Sequence, residues 1–220
     1  MLAKRGALLA VAIVAAASAV AALAFWFRAG DAKSAALFRR QAAPALYGYE
    51  VVTRYPHDPE AFTQGLVYWG DGVLYESTGL WGRSSLREVD LATGRVLRRR
   101  DLGHRYFGEG IAVIGERIVQ LTWQSGVALV YDRGTFELQG ELAYPGQGWG
   151  LTYDGRQLIM SDGTSTLRFW DAETLEETRR VQVIDGDAPV DRLNELEFVR
   201  GEVWANVWQT ERIARIDPAS

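Results

Sequence analysis

From Tyr49 onward the hydrophobic residues fall into short runs bounded by glycine, aspartate, threonine or proline, the pattern of β-strands closed by tight turns. Tyr49–Tyr55 is rich in β-branched and aromatic residues and stops at Pro56, which predicts a strand there. Gly65–Trp69 and Val73–Ser77, joined by Gly70-Asp-Gly72, predict a hairpin. Ser84–Val89, a turn at Asp90–Gly94 and Arg95–Leu102 add two strands. The same pattern then repeats. Its second copy is Ile111–Ile114, Arg117–Trp123, Val127–Tyr131 and Phe136–Ala143; its third is Leu151–Tyr153, Gln157–Ser161, Leu167–Trp170 and Leu175–Val183. A fourth runs through Leu196–Val199, Val203–Trp208 and Ile213–Ile216.

The copies keep phase. Phe62-Thr-Gln-Gly-Leu66, Phe107-Gly-Glu-Gly-Ile111, Gly148-Trp-Gly-Leu151 and Leu193-Asn-Glu-Leu196 put Gln64, Glu109, Trp149 and Asn194 in one equivalent position, 45, 40 and 45 residues apart. The turn aspartates Asp90, Asp132, Asp171 and Asp217 follow at 42, 39 and 46. A period of about 40 to 45 residues with four strands per unit is that of a β-propeller blade. A β-sandwich, the other all-β reading, gives no reason for turn chemistry to recur in phase. In a propeller the first strand of each blade lines the central channel, so the residue just before it lies at the channel mouth. Gln64, Glu109, Trp149 and Asn194 are therefore expected to converge. Aligning Leu74, Val119, Ile159 and Trp204 in the second strands places Thr78, Trp123, Gly163 and Trp208 in a second ring. Packing between blades accounts for two tryptophans at equivalent positions. With Trp149 added, three tryptophans near one carboxylate suit a box for a cationic or planar ligand.

Residues 1–28 follow a different pattern. Lys4-Arg5 precede Gly6–Phe27, which carries no charge, and Arg28 follows. That length spans a bilayer as a helix. Ala17-Ser-Ala19 offers the small residues of a signal-peptide cleavage site. Trp26 and Phe27 beside Arg28 look more like an interfacial anchor. Signal peptide or membrane anchor, the segment predicts export to a periplasmic or other extracytoplasmic compartment, with Met1 cytoplasmic if it stays. Residues 29–46, Ala-rich and polar with Pro44, read as a linker, and 47–220 as the propeller domain.

Charge and composition exclude several functions. The chain has 24 basic and 28 acidic residues, net −4; residues 41–220 keep 18 and 27 of these, net −9. An acidic domain without a basic stripe is a poor nucleic-acid binder. The absence of cysteine removes disulfides, thiolate nucleophiles and Cys-ligated metals together. His57 and His104 are the only histidines, too few for a usual catalytic zinc site.

Taken in order, Phe62-Thr-Gln-Gly-Leu66, Tyr75-Glu-Ser-Thr78 with Ser84-Ser-Leu-Arg87, Phe107-Gly-Glu-Gly-Ile111, Leu121-Thr-Trp123, Gly148-Trp-Gly-Leu151 and Asn194-Glu-Leu-Glu197 with Ala205-Asn-Val-Trp208 resemble the plant and bacterial glutamine cyclotransferase family, the papaya-type glutaminyl cyclases. The resemblance covers about residues 49–220 and implies a five-bladed β-propeller without catalytic zinc. A structural calcium in the channel remains compatible with it. It implies conversion of the N-terminal glutamine of a peptide or protein to pyroglutamate with loss of ammonia, by a monomer. It also places the catalytic glutamate at Glu109 and substrate-binding residues at Phe62, Gln64, Trp123, Trp149, Asn194 and Trp208.

One departure stands out: the family continues past the Ile-Asp-Pro at 216–218 with a further strand pair, an Asn-Gly motif and a lysine-containing segment, whereas here no lysine follows Lys33. The last blade is thus expected to be incomplete, with Tyr49–Tyr55 as a strand that would complete it. Two other readings compete. An exported propeller that only binds a peptide or protein partner would use the same mouth with Glu109 as a counter-charge. A metal-dependent lactonase-type propeller would want more oxygen ligands than Glu109 and Asn194, since Gln64 and Trp149 occupy the other places.

Overall fold

The structure is a computed structural model that describes residues 44–219. The expected export segment at 6–27 and all but the end of the linker lie outside the described residues. Ala45–Ser220 forms one compact unit.

Strands pair in sequence order because each run meets the next across a short turn. β1 (Thr63–Gly70), β2 (Val73–Thr78), β3 (Ser85–Asp90) and β4 (Val96–Asp101) form the first four-stranded antiparallel sheet. β5 (Gly108–Ile114), β6 (Arg117–Thr122), β7 (Val127–Asp132) and β8 (Leu138–Ala143) form the second. β9 (Leu151–Tyr153), β10 (Gln157–Met160), β11 (Thr166–Asp171) and β12 (Glu177–Gln182) form the third. After a small hairpin, β13 (Ile184–Asp185) and β14 (Ala188–Pro189), comes a three-stranded sheet of β15 (Leu193–Val199), β16 (Glu202–Val207) and β17 (Ile213–Ile216). The described residues thus build four propeller-like blades from strands alone.

The hairpin β13/β14 was not legible in the apolar pattern, since both its strands are exposed. Tyr49–Tyr55, expected as a strand, forms none. Its side chains are exposed, Tyr49 at 93% and Val52 at 92%, and a β-propensity run without a partner ladder has nothing to hold it extended.

Each seam between blades has its own core. Tyr75 and Leu86 meet Ile111, Leu129 and Phe136; Val119 and Leu121 meet Leu151, Leu158 and Trp170; Ile159 and Phe169 meet Leu196, Val203 and Ile216. The inner strands approach each other so closely that only glycine fits between them. A Cβ on Gly110 would lie 2.5 Å from the Leu151 nitrogen, and one on Gly150 2.1 Å from the Asn194 carbonyl oxygen. The recurring turns have a common cause as well. Asp90, Asp132 and Asp171 each accept the backbone N–H of a threonine three residues on, at 2.8 Å. That bond helps hold each carboxylate below its usual pKa.

Candidate functional site

Three of the four mouth residues sit where an inner strand breaks register. Pairing skips between Thr63 and Gly65 on β1, between Gly108 and Ile111 on β5, and between Leu193 and Leu196 on β15. A bulge leaves the extra residue out of the ladder and re-aims its side chain. Gln64, Glu109 and Asn194 are those residues. The sequence pattern placed them just ahead of their strands; they lie inside them, and only Trp149 precedes its strand, β9. Gly65 and Gly110, which follow Gln64 and Glu109, allow two of these bulges to form beside a close neighbouring strand.

Glu109 is 4% exposed, and Gln64 Nε2 donates to its Oε1 at 3.1 Å. Burial pushes its carboxyl up to about 9, with the Gln64 hydrogen bond pulling the other way. The backbone on either side is held. Gly108 N–H donates to Ser84 Oγ at 3.0 Å, Ser84 Oγ donates to the Leu80 carbonyl at 2.8 Å, and Gly110 N–H donates to the Trp149 carbonyl at 2.6 Å. Glu109 is thus a desolvated carboxyl on a fixed backbone with one polar partner of known direction.

The aromatic side chains gather in two groups, for a reason visible in the register. Tyr75 pairs with Val67, as Val119 does with Ala112 and Trp204 with Glu197. Tyr75, not Leu74, is therefore the equivalent of Val119, and the second ring reads Gly79, Trp123, Gly163 and Trp208. Thr78 is not part of it; it is buried, and it shares a 2.7 Å hydrogen bond with Ser85 Oγ. The glycines make room for rings from the neighbouring repeat position. A Cβ on Gly79 would lie 2.3 Å from the Phe107 ring, and one on Gly163 2.6 Å from the Trp149 ring. Each tryptophan then packs edgewise on the ring so placed: Trp123 on Phe107 at 5.6 Å and 63°, Trp208 on Trp149 at 5.5 Å and 86°. Phe62 adds a second edge contact to Phe107 at 6.1 Å.

Of the residues expected at the site, Gln64 touches Glu109 directly, Phe62 and Trp123 join through Phe107, and Trp149 pairs with Trp208. Asn194 is held through its backbone, its carbonyl accepting Ser161 Oγ at 2.8 Å. Two residues were missed. Trp81, 48% exposed in the β2–β3 loop, packs on Phe107 at 5.8 Å. Gln147 accepts hydrogen bonds from the indoles of both Trp123 and Trp149, at 2.7 and 3.0 Å. A signal for Gln147 existed, because it stands two residues before a mouth residue, as Phe62, Phe107 and Arg192 do. Trp81 has no counterpart in phase.

Glu195 and Glu197 also lie on β15. Burial raises them to about 8 and about 7, and the Glu197 charge adds to the shift of Glu195, which also accepts the backbone N–H of Leu66 on β1. Among the described residues no three acidic, histidine or cysteine side chains gather as metal ligands.

The fold and mouth define a β-propeller protein with one buried glutamate on an inner strand and two groups of packed aromatic rings at the ends of its inner hairpins. The chain belongs to the glutamine cyclotransferase family, whose family model matches residues 19–220. It is 48% identical over 170 residues to a glutaminyl-peptide cyclotransferase of Arabidopsis thaliana, a match covering 77% of this chain and 53% of that protein. The chain therefore spans about half the length of that curated relative. It also resembles the crystal structure of Myxococcus xanthus glutaminyl cyclase, with 36% identity and a TM-score of 0.71, covering 78% of this chain and 72% of the other. The RRP9 WD40 repeats, at 13% identity and a TM-score of 0.50 over 74% of this chain and 53% of that one, share the propeller architecture alone.

Proposed function

We propose that the protein is a glutaminyl-peptide cyclotransferase, closing the N-terminal glutamine of peptides or proteins to pyroglutamate with release of ammonia. The observation that carries this reading is Glu109, a carboxyl buried to 4% exposure with Gln64 as its hydrogen-bond donor, in a chain of this family.

The reaction is intramolecular. The α-amine attacks the side-chain amide carbon of the same residue, the C–N bond to the amide nitrogen breaks, and a five-membered lactam remains. With both reacting groups on one residue, holding them folded removes several kcal/mol of entropic barrier. The rest is proton movement: the attacking nitrogen must lose a proton and the departing nitrogen must gain one. Glu109 serves as base and then acid in that transfer. Its raised pKa fits the role, because a carboxyl that holds its proton up to about 9 exchanges it readily with an α-amine of ordinary pKa near 8. The substrate ammonium, placed beside the carboxylate, offsets the loss of solvent that raises it. Trp123, Trp149 and Trp208 supply the aromatic faces for that ammonium. Gln64 and Asn194 are the amide groups available to the carboxamide and its developing oxyanion.

We further read the complete ring as five-bladed, with the last blade incomplete in this chain. The three-stranded β15–β17 sheet beside four-stranded neighbours and the unpaired Tyr49–Tyr55 run support this. The uncharged Gly6–Phe27 segment supports export, as a signal peptide or as an anchor. Chemistry without catalytic zinc is supported by the lack of cysteine and the presence of only two histidines.

The test is to incubate the protein with peptides that start with glutamine or asparagine and to measure ammonia. Glutamine peptides release it and lose one amine; asparagine peptides react poorly, because their ring would have four members. Ammonia from neither peptide, with the glutamine peptide still bound, would favour the binding-only propeller.

A further inference from the structure

The repeat position two residues ahead of each mouth residue holds Phe62, Phe107, Gln147 and Arg192. In the first two blades it is a ring that packs on other rings. In the third it is an amide, and its contacts differ in kind. Gln147 Oε1 accepts from Trp123 Nε1 at 2.7 Å and from Trp149 Nε1 at 3.0 Å. An indole N–H can only donate, so the atom facing both indoles must be the carbonyl oxygen, and both of its lone pairs are taken. One oxygen therefore ties a tryptophan after β6, in the second blade, to a tryptophan before β9, in the third. The backbone closes the same link, with Gly148 N–H donating to the Trp123 carbonyl at 3.1 Å, while Trp149 N–H is held within its own blade by the Ser161 carbonyl at 3.0 Å.

We propose that Gln147 is a positioning residue that fixes the orientation of Trp123 and Trp149 before substrate arrives, and so sets affinity for the substrate amine, leaving the chemical step unchanged. The inference rests on the cyclotransferase reading of the site. A cation is attracted by the face of an indole and not by its edge, so a ring free to turn about its side-chain torsions binds more weakly. Fixing the rings in advance removes that ordering cost from the binding step. Gln147 is itself exposed and touches Trp149 from the loop, so its removal leaves the blade cores intact.

Two variants of the full chain test this. Gln147→Leu keeps the side chain's size and removes the acceptor; Gln147→Glu keeps an oxygen acceptor. The readouts are kcat and KM for a glutamine-initiated peptide and the indole N–H signals in ¹H–¹⁵N spectra, with Trp123→Phe and Trp149→Phe to assign them. In Gln147→Leu the two assigned signals move and KM rises about 5- to 20-fold with kcat within about twofold. In Gln147→Glu both signals stay hydrogen-bonded and KM remains within about threefold of the parent. Indole signals that do not move in Gln147→Leu overturn the proposal, as do an unchanged KM, a kcat that falls as much as kcat/KM, or an equal loss in the Glu variant. A parent chain that cyclises nothing overturns the functional reading first, and this proposal with it, before any substitution is made.

Discussion

Gln64 Nε2 donates to Glu109 Oε1 at 3.1 Å, across the seam between the first and second blades. Both residues sit in register breaks of inner strands, so the contact is set by two backbones and not by two free side chains. The hydrogen bond favours the ionised carboxylate while burial opposes it, and burial prevails.

Removing that donor should therefore move Glu109 further from its usual range. In Gln64→Leu the carboxylate loses the one bond that lowers its pKa, and the acidic limb of the kcat/KM profile shifts to higher pH. A pH series on a glutamine-initiated peptide checks this, and a limb that moved to lower pH would count against the assigned contact.

Stability should depend on pH in a direction opposite to that of most carboxylates. Glu109, Glu195 and Glu197 have folded pKa values of about 9, 8 and 7, all above the usual carboxylate value. The folded state thus holds protons that the unfolded chain gives up. Their contribution is fully present below about pH 4.5 and is lost as pH rises through 7 to 9. Glu109→Gln removes one such group, so it should raise stability at pH 8 by up to about 4 kcal/mol while changing it by less than about 1 kcal/mol near pH 5. Paired melting curves at the two pH values decide this; a larger gain at pH 5 would reverse the sign.

The legible part of this chain was the part that repeats. Four lead residues, the turn aspartates and the glycines announced blades and a common mouth, because a propeller imposes one local geometry at a fixed period. Register at single-residue precision was not legible. Leu74 and Tyr75 are both apolar, so only the observed pairing shows that Gly79, and not Thr78, stands opposite Phe107. The repeat phase marked the position of Gln147 but not its role, since an exposed amide in a Pro-Gly loop looks like ordinary surface until its two indole partners are seen. Tyr49–Tyr55 misled for a different reason: composition reports the tendency to be a strand, while pairing depends on a neighbour.

The aromatic wall should affect binding more than turnover. Trp208→Ala removes the edge contact to Trp149 and one face of the box, and Trp123→Ala does the same on the Phe107 side. Each should weaken substrate binding by about 1 to 2 kcal/mol, as for a desolvated cation–π contact. Calorimetric titration of an unreactive analogue with a free α-amine measures it directly, and an unchanged Kd in both variants would remove the ammonium from the wall.

Metal should not be needed for the chemical step. Cyclisation is expected to survive strong chelators, while the folded state is followed by circular dichroism. Activity lost to a chelator and restored by zinc, with the fold intact throughout, would replace the Glu109 mechanism with metal catalysis.

The central claim is that Glu109 moves the proton. Glu109→Gln keeps the side chain's size and its place beside Gln64 but cannot exchange a proton with the amine. The measurement is initial ammonia release from a glutamine-initiated peptide, at saturating and at low substrate, for parent and variant. We expect kcat to fall about 10²- to 10⁴-fold with KM within a fewfold of the parent; turnover at the parent rate would contradict the assignment outright.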